Sequence, residues 1–280
     1  MSPLAPRYVV FTDLDGTLLD HHSYSWAPAQ PALDALERRS IPLVFCTSKT
    51  RSEVEDLRRR MCNPHPFITE NGGGVFIPQE YYKRKIPGET RLGRYHCLAL
   101  GKPYEEMVER LEEIAAEAGA EAVGFHQMSA LEIAANTGLD LRQAELVKRR
   151  DFDEHFFFAG SDPRAEGKFV QIARQRGLEV TRGGRFRHLF AGSDKGKAVR
   201  KLMELYRDAS HVRMRAVALG DSANDLPMLA AVEHAFLLPG PDGEFDAKVL
   251  AKLPKITRGE APGPEGWNAA VLGLLSSESR

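Results

Sequence analysis

The chain has 280 residues, 42% hydrophobic and 28% charged, and its 38 basic and 39 acidic residues leave a formal net charge of −1. This composition is typical of a folded globular protein of about two domains, and it excludes a collagen-like or largely disordered chain. A near-zero net charge gives no electrostatic basis for a nucleic-acid or anionic-membrane partner, so we expect neither.

The cysteines and the N-terminus bear on the compartment. Cys46, Cys62 and Cys97 are widely spaced and include no C-x-x-C pair, which disfavours a zinc ribbon or a thioredoxin-type site. Free thiols are the simplest interpretation and are typical of the cytosol. The apolar run at 8–11 is too short for a signal peptide, and no run approaches the roughly 18 apolar residues of a spanning helix. We therefore expect a cytoplasmic protein.

The first third of the chain alternates strand and helix patterns. Apolar runs predict buried strands at 8–11, 42–46, 67–69 and 74–77. Helical spacing of apolar residues predicts helices over 28–39 and 51–61. Alternation of this kind predicts βαβ units with a parallel sheet.

The pattern changes after about residue 82 and returns near residue 191. Between them, predicted strands lie at 95–100 and 155–158, helices at 104–118, 131–135, 141–150 and 163–176, and a hairpin at 178–190. Afterwards, helices are predicted at 195–206 and 225–231, and strands at 215–219 and 235–238. We predict an α/β, Rossmann-like core of residues 1–83 and 191–280, interrupted by an inserted α+β domain of residues 84–190.

Two carboxylates, Asp13 and Asp15, follow the first predicted strand in the segment Phe11-Thr12-Asp13-Leu14-Asp15-Gly16-Thr17. In an extended chain residues i and i+2 point the same way, so both would face the crevice at the carboxyl edge of the sheet. Gly16 would allow a sharp turn behind them. The alternative is an ordinary turn rich in Asp and Gly.

A second acidic segment, Gly220-Asp221-Ser222-Ala223-Asn224-Asp225, follows another buried run. Its carboxylate and amide oxygens suit Mg²⁺, which usually takes one or two protein carboxylates. We predict a metal site among Asp13, Asp15, Asp221, Asn224 and Asp225. The alternative, that Asn224 or Asp225 only caps the next helix, remains open for part of the segment.

Two further segments carry groups that suit a phosphate. Thr47 and Ser48 end a strand where a helix begins, so a hydroxyl and backbone N–H groups could contact phosphate oxygens. For Ser48 alone, a helix N-cap is the favoured alternative. Lys195 lies at the unfavourable end of a helix dipole, which is tolerable if it serves an anion, whereas Lys197 is expected to be solvated.

Together these four segments resemble the haloacid dehalogenase superfamily of phosphotransferases in order and spacing. Finer strings, Cys46 to Arg51, Thr69 to Gly74, Thr181 to Phe186 with His188, and Gly220 to Leu229, are similar to its mannosyl-3-phosphoglycerate phosphatase subfamily. Most Cof-type relatives carry Thr-Gly-Arg at the second motif, and here Ser48-Lys49 replaces Gly-Arg. The insertion falls where that superfamily places a large α+β cap.

The resemblance implies an Mg²⁺-dependent phosphatase that forms an aspartyl-phosphate. Asp13 would be the nucleophile and Asp15 the general acid and base. Thr47, Ser48 and Lys195 would bind phosphate, and Asp221 would hold Mg²⁺ with Asp13 and the backbone carbonyl of Asp15. Asp225 and Asn224 would orient Lys195 or metal-bound water.

The implied substrate is a small phosphate ester, mannosyl-3-phosphoglycerate, which would yield mannosylglycerate, a compatible solute, and phosphate. The implied cap contacts are Arg182, Arg185 and Arg187 for the carboxylate and His126, Gln127, Met128 and Ser129 for the sugar, with Glu132, Arg150 and Glu154 as weaker candidates. The alternative for the three arginines is a solvated basic hairpin.

Alternatives to this function remain. The first is a related phosphatase acting on glucosyl-3-phosphoglycerate, sucrose phosphate or a broad range of sugar phosphates. The second is a phosphomutase, and the third is a non-catalytic phosphoester sensor. The presence of Asp13, Asp15, Lys195 and Asp221 disfavours the sensor. A homo-oligomer is possible on this evidence.

Overall fold

The computed structural model describes residues 7–83, 85–160, 162–183, 186–210 and 212–277. Its strands are β1 (Arg7–Thr12), β2 (Leu43–Cys46), β3 (Phe67–Thr69), β4 (Gly74–Pro78), β5 (Thr90–Leu92), β6 (Tyr95–Ala99), β7 (Ala122–Gly124), β8 (Glu154–Phe158), β9 (Leu178–Gly183), β10 (Phe186–Ala191), β11 (Met214–Gly220), β12 (His234–Leu237) and β13 (Thr257–Arg258). Its α-helices are α1 (Gln30–Arg38), α2 (Arg51–Arg60), α3 (Tyr104–Ala118), α4 (Ala130–Thr137), α5 (Leu141–Val147), α6 (Pro163–Gln175), α7 (Lys195–Ala209), α8 (Leu226–Leu229), α9 (Ala247–Lys252) and α10 (Gly263–Ser277).

The larger sheet, nine-stranded within the described residues, has the order β13-β12-β11-β1-β2-β3-β4-β6-β5. Neighbouring strands from β13 to β3 pair in parallel, and β4, β6 and β5 continue as an antiparallel edge. The predicted α/β class with a parallel sheet is confirmed.

The run Tyr8-Val9-Val10-Phe11 in β1 is buried because helices cover both faces of this sheet. Val10 packs with α1 and α10 on one face, and Val9 and Phe11 pack with α7 and α8 on the other. A buried hydrogen bond also links α10 to the end of β1: the Trp267 indole donates to Thr12 Oγ1 over 3.0 Å. Helices thus pack on both faces of β1 directly before Asp13 and Asp15, the predicted catalytic residues.

A second, antiparallel sheet has the order β7-β8-β10-β9. Apolar residues of α3 and α6 pack on one of its faces, and residues of α4 and α5 pack with Phe125 and Phe186 in a separate cluster. This unit has the α+β architecture expected for the insertion.

The larger sheet extends past residue 84, where the inserted unit was predicted to begin. Strands β5 and β6 lie inside the predicted 84–190 unit, yet β6 pairs with β4 and extends the larger sheet. The physical reason is the apolar face of β6, where Tyr95 and Cys97 are buried against Phe67 and Phe76. Polar residues before β5 made this segment resemble a linker in the sequence.

Two remaining expectations concern the compartment. Within the described residues Cys46, Cys62 and Cys97 are free thiols, two of them buried. No helix in the described part of the chain is both long enough and apolar enough to cross a membrane.

Candidate active site

The site begins where β1 and β11, neighbouring parallel strands, reach the same edge of the sheet. The backbone N–H of Asp13 donates to the carbonyl of Leu219 over 3.0 Å, which extends the strand pairing by one residue. Carboxyl ends of parallel strands meet at one edge, so Asp13 comes to lie beside the loop that starts at Asp221. This is the juxtaposition expected from the two acidic segments.

Lys195, the first residue of α7, places its ammonium between two buried carboxylates. Its Nζ lies 2.7 Å from Asp13 Oδ1 and 2.6 Å from Asp225 Oδ1. Burial by itself would lower the pKa of Lys195, but the two carboxylates raise it well above its ordinary value. Gly72 allows this position, because a Cβ there would overlap the carbonyl of Asp194 at the start of α7.

Asp13 is buried in a predominantly acidic environment. Burial raises the pKa of Asp13 well above its ordinary value, and Asp225 raises it further, while Lys195 opposes both effects. An ionised Asp13 is the form that can attack phosphorus. The site therefore needs positive charge beyond that of Lys195 to stabilise the nucleophile.

Asp221 contacts the turn that follows Asp13 and Asp15. Thr17 Oγ1 donates to Asp221 Oδ1 over 3.0 Å. Burial, together with Asp225, raises the pKa of Asp221 to about 6. Gly16 has a φ of +76°, and a Cβ at that position would lie 3.0 Å from Asp221 Oδ2, so glycine serves both the turn and the close approach.

Asp225 has no free carboxylate oxygen. Its Oδ1 contacts Lys195, and its Oδ2 accepts the backbone N–H groups of Asp221 and Ser222 over 3.1 and 3.2 Å. This pattern suits a residue that positions Lys195 and the 221–222 backbone. Asn224 is exposed, and its Oδ1 accepts a hydrogen bond from Ser222 Oγ over 2.7 Å.

The acidic residues fit a divalent cation. Carboxylate oxygens of Asp13, Asp221 and Asp225 all lie within 4.8 Å of one another. The raised pKa values of Asp13 and Asp221 come partly from this mutual repulsion, which a cation would relieve. Because Asp225 is occupied, Asp13 and Asp221 are the side chains available to bind a hard ion such as Mg²⁺.

Asp15 pairs with a residue to which the sequence interpretation gave no role. The Lys49 Nζ lies 2.8 Å from Asp15 Oδ2 and 3.8 Å from Glu53 Oε1. The two carboxylates raise the pKa of Lys49 despite its burial. The only sequence signal was the replacement of the family's Gly-Arg by Ser48-Lys49.

Thr47 and Ser48 lie at the end of β2, where α2 begins. The buried Thr47 accepts the Lys49 N–H at Oγ1 over 3.2 Å, so its hydroxyl hydrogen can point elsewhere. Thr50, and not Ser48, caps α2, with Glu53 completing a capping box. The N-cap alternative for Ser48 is therefore wrong.

The predicted sugar contacts at 126–129 are mostly engaged within the second sheet unit. His126 Nδ1 lies 2.9 Å from Glu154 Oε1 and its Nε2 lies 3.1 Å from Glu112 Oε1. Gln127 Oε1 accepts the Gly124 N–H, and Met128 is buried. Ser129 caps α4 in a capping box with Glu132.

Of the three predicted cap arginines, the structure describes the side chain of Arg187 alone. Arg185 and the side chain of Arg182 lie outside the described residues. Arg187 pairs with Glu166 of α6 over 2.8 Å and lies 4.8 Å from the Phe158 ring centroid. Because neighbouring residues in a strand alternate faces, Arg187 and His188 lie on opposite sides of the sheet. Its engagement with α6 gives Arg187 a structural partner in place of the predicted substrate carboxylate.

Arg150 and Glu70 connect the two sheets. Arg150 donates to the carbonyl of Ser48 over 3.0 Å and also pairs with Asp153. Glu70 Oε2 accepts the backbone N–H groups of Phe152 and Asp153 over 2.7 and 3.0 Å. These bonds connect the chain that enters β8 to the loop after β2, through Ser48, and to the turn after β3, through Glu70.

Comparison with known proteins identifies the relatives of this chain. The family model described as haloacid dehalogenase-like hydrolase matches residues 10–116. The glucosyl-3-phosphoglycerate/mannosyl-3-phosphoglycerate phosphatase of Methanococcoides burtonii is 42% identical over 273 residues, which cover 98% of this chain and 99% of that protein. The mannosyl-3-phosphoglycerate phosphatase of Pyrococcus furiosus is 38% identical, over 82% of this chain and 90% of its own length.

Solved structures share the fold at low sequence identity. A Thermoplasma acidophilum protein has a TM-score of 0.65 and 18% identity, with 99% of both chains covered. The sucrose-phosphatase of Synechocystis sp. PCC6803 has a TM-score of 0.60 and 12% identity, with 98% of both chains covered. At these identities the likeness concerns the fold alone.

Proposed function

Since this chain belongs to the haloacid dehalogenase-like hydrolase family and is a phosphoric monoester hydrolase, we propose that its substrate is mannosyl-3-phosphoglycerate. The products would be mannosylglycerate and inorganic phosphate. The relatives named above motivate this choice, and the Methanococcoides name makes glucosyl-3-phosphoglycerate the principal alternative.

The observation that carries the catalytic proposal is the buried contact between Lys195 and Asp13. A phosphate monoester is anionic, so a carboxylate nucleophile needs nearby positive charge to approach it. Lys195 supplies one such charge at 2.7 Å from Asp13, and Asp225 holds it in place. This group lies at the edge of the larger sheet where β1 and β11 end.

The chemistry proceeds in two displacements. Asp13 attacks phosphorus, the phosphorus–oxygen ester bond breaks, and Asp15 gives a proton to the departing alkoxide. Asp15 then takes a proton from water as the water displaces Asp13 and releases phosphate. Lys195 stabilises the transferring oxygens in both steps, and the Thr47 hydroxyl and Ser48 N–H contact them.

We propose Mg²⁺ as the cofactor, held by Asp13 and Asp221. When bound it would neutralise phosphate charge and help align the displacement. Asp225 and Thr17 would orient this site without coordinating the ion, since Asp225 is fully occupied and Thr17 donates to Asp221.

A cavity bordered by Lys49, the ion-pair partner of Asp15, has room for the glycerate part of the substrate. It has a volume of about 110 Å³ and is bounded by Tyr24 and Lys49 from the larger sheet unit and by Gln143 and Leu146 of α5. Lys49 reaches both Asp15 and this cavity, and the glycerate carboxylate lies only two carbons from the phosphate ester oxygen. We assign Lys49 to that carboxylate.

The second sheet unit would act as a cap over this cavity. Its α5 contacts the larger unit through Arg142, which pairs with Asp56 over 2.7 Å, and through Leu146, whose carbonyl accepts Thr50 Oγ1 over 3.0 Å. The division into a split core and an inserted cap stays a proposal, as do the cytoplasmic location and any homo-oligomer.

The test compares phosphate release from mannosyl-3-phosphoglycerate, glucosyl-3-phosphoglycerate and sucrose phosphate with and without Mg²⁺. The proposal predicts the largest kcat/KM for the mannosyl ester and loss of turnover on chelation. Equal kcat/KM for all three esters would instead favour a broad phosphatase. A requirement for a bisphosphate activator would favour the mutase.

A further inference from the structure

A second cluster of metal-binding side chains lies in the antiparallel sheet, apart from the catalytic carboxylates. His155 of β8 and His188 of β10 are directly opposite each other in register, with ring centroids 3.8 Å apart. Asp153, just before β8, places its Oδ2 3.8 Å from His155 Nε2 and 3.7 Å from His188 Nδ1. The three atoms all lie within 4.8 Å of one another.

Each of these three atoms is buried without a hydrogen-bond partner among the described residues. The Asp153 side chain is 0% exposed, whereas His155 and His188 retain 14% and 12%. Buried polar atoms are normally paired, and leaving one unpaired costs about 1–3 kcal/mol. Three such atoms within 4.8 Å of one another could all be satisfied by one shared ligand.

The donor set favours a cation over an anion. The nearest cationic group, Arg150, is already occupied by Asp153 Oδ1 and by the carbonyls of Ser48 and Val147. An anion entering the cluster would meet the carboxylate oxygen Oδ2 of Asp153, and among the described residues no Lys or Arg pairs with that oxygen. Two imidazole nitrogens and one carboxylate oxygen are instead ligands that late first-row divalent metals bind.

We propose that Asp153, His155 and His188 form a binding site for a divalent transition-metal ion, of which Zn²⁺ is the best fit. Metal–ligand bonds of about 2.0–2.2 Å in tetrahedral geometry need ligand atoms roughly 3.3 Å apart. The observed 3.7 and 3.8 Å separations would close by small rotations of the side chains. The partly exposed imidazoles provide an entry path and leave a position for water.

The bound ion would connect two parts of the molecule. Glu70 of the larger sheet unit holds the backbone of Asp153 over 3.0 Å, and the ion would join Asp153 to β10. Metal binding should therefore raise the unfolding temperature as well as occupy the site.

The experiment uses an Asp221→Asn background, which disables the catalytic carboxylates while leaving the second cluster intact. After chelation and dialysis against Zn²⁺, elemental analysis should find one equivalent of Zn²⁺ per chain, and millimolar Mg²⁺ should not displace it. Adding His188→Gln or His155→Gln should weaken Zn²⁺ binding by at least about tenfold. His65→Gln, distant in the larger unit, is the matched control.

Two results would overturn the proposal. One is retention of no Zn²⁺ by the background protein, which would mean that water fills the cluster. The other is equal Zn²⁺ affinity in the background and both histidine variants. Circular dichroism checks folding, and if one histidine variant does not fold, the other still gives the answer. Both readouts are independent of phosphatase activity.

Discussion

The Lys49 ammonium lies 2.8 Å from the carboxylate of Asp15 and also borders the cavity beneath α5. One side chain thus contacts both the proposed general acid and the space that would hold the leaving group. The Tyr24 ring, 5.4 Å from the same ammonium, also lines that cavity. If the proposed roles are right, leaving-group protonation and substrate recognition both depend on this lysine.

Replacing Lys49 should weaken the binding of a substrate that has a carboxylate more than that of a substrate that lacks one. A charge-assisted hydrogen bond is worth about 1.5–3 kcal/mol, so Lys49→Gln should raise KM for mannosyl-3-phosphoglycerate by about 10- to 100-fold. Turnover of p-nitrophenyl phosphate, which lacks a carboxylate, should change much less. Steady-state kinetics on both esters measure this, with Lys49→Arg as the charge-preserving control. An equal loss of kcat/KM for both esters would mean that Lys49 acts only through Asp15 and does not bind the substrate carboxylate.

Replacement of Asp13 and replacement of Asp15 should slow different steps of the reaction. Asp13→Asn should lower kcat by on the order of 10⁴ or more, because no covalent intermediate can form. Asp15→Asn should lower kcat by about 10²–10⁴. With p-nitrophenyl phosphate, whose leaving group needs no proton, Asp15→Asn should still release a stoichiometric burst of nitrophenolate. Absence of any burst would show that Asp15 is not the base that activates water in the second step.

Asp225 should act through the position of Lys195. Asp225→Asn removes one of the two carboxylates on the buried Lys195 ammonium. We expect kcat to fall by about 10²-fold through misplacement of the ammonium, with KM little changed. The free energy of unfolding should fall by about 3 kcal/mol. Asp242→Asn, at an exposed position, is the control, and a selective rise in KM would contradict the assignment.

Trp267 should stabilise the strand that carries Asp13. Trp267→Phe removes the donor to Thr12 Oγ1 and should lower the free energy of unfolding by about 1–2 kcal/mol. Urea denaturation should show a lower midpoint with an unchanged slope. Trp26→Phe, at a half-buried position, is the matched control, and an unchanged midpoint in Trp267→Phe would contradict the prediction.

His65 should make stability depend on pH. Burial, with Arg58 nearby, lowers the pKa of His65 from 6.5 to about 4. Between those values the unfolded chain binds the proton more readily, so stability is complete above about pH 6.5 and declines as pH falls toward 4. The loss should be at most about 3 kcal/mol. His65→Gln should flatten this part of the curve, whereas His21→Gln, on an exposed loop, should leave it unchanged.

Much of the site could be predicted from sequence because its residues follow strands. Asp13 and Asp221 each come directly after a buried apolar run, and the carboxyl ends of neighbouring parallel strands necessarily meet at one edge. Residue type then indicated chemistry, since clustered carboxylates with a lysine suit phosphate transfer with a hard cation. The inserted α+β unit was likewise evident, because its pattern interrupts a βαβ alternation.

Pairings between distant side chains could not be predicted in this way. Lys49 and Asp15, or Thr17 and Asp221, meet only because turns and helices bring them to the same point, and local periodicity contains no such distance. For the same reason Arg187 faces α6 rather than the catalytic loop.

The amino-acid sequence by itself determined the fold class, the order of the motifs and the residue types at the sheet edge, because these depend on short-range patterns. The tertiary structure decided which oxygen each cation contacts, where the core sheet ends, and that Asp153, His155 and His188 converge. These depend on strand register and packing between segments far apart in the chain, where a shift of one residue turns a side chain to the other face.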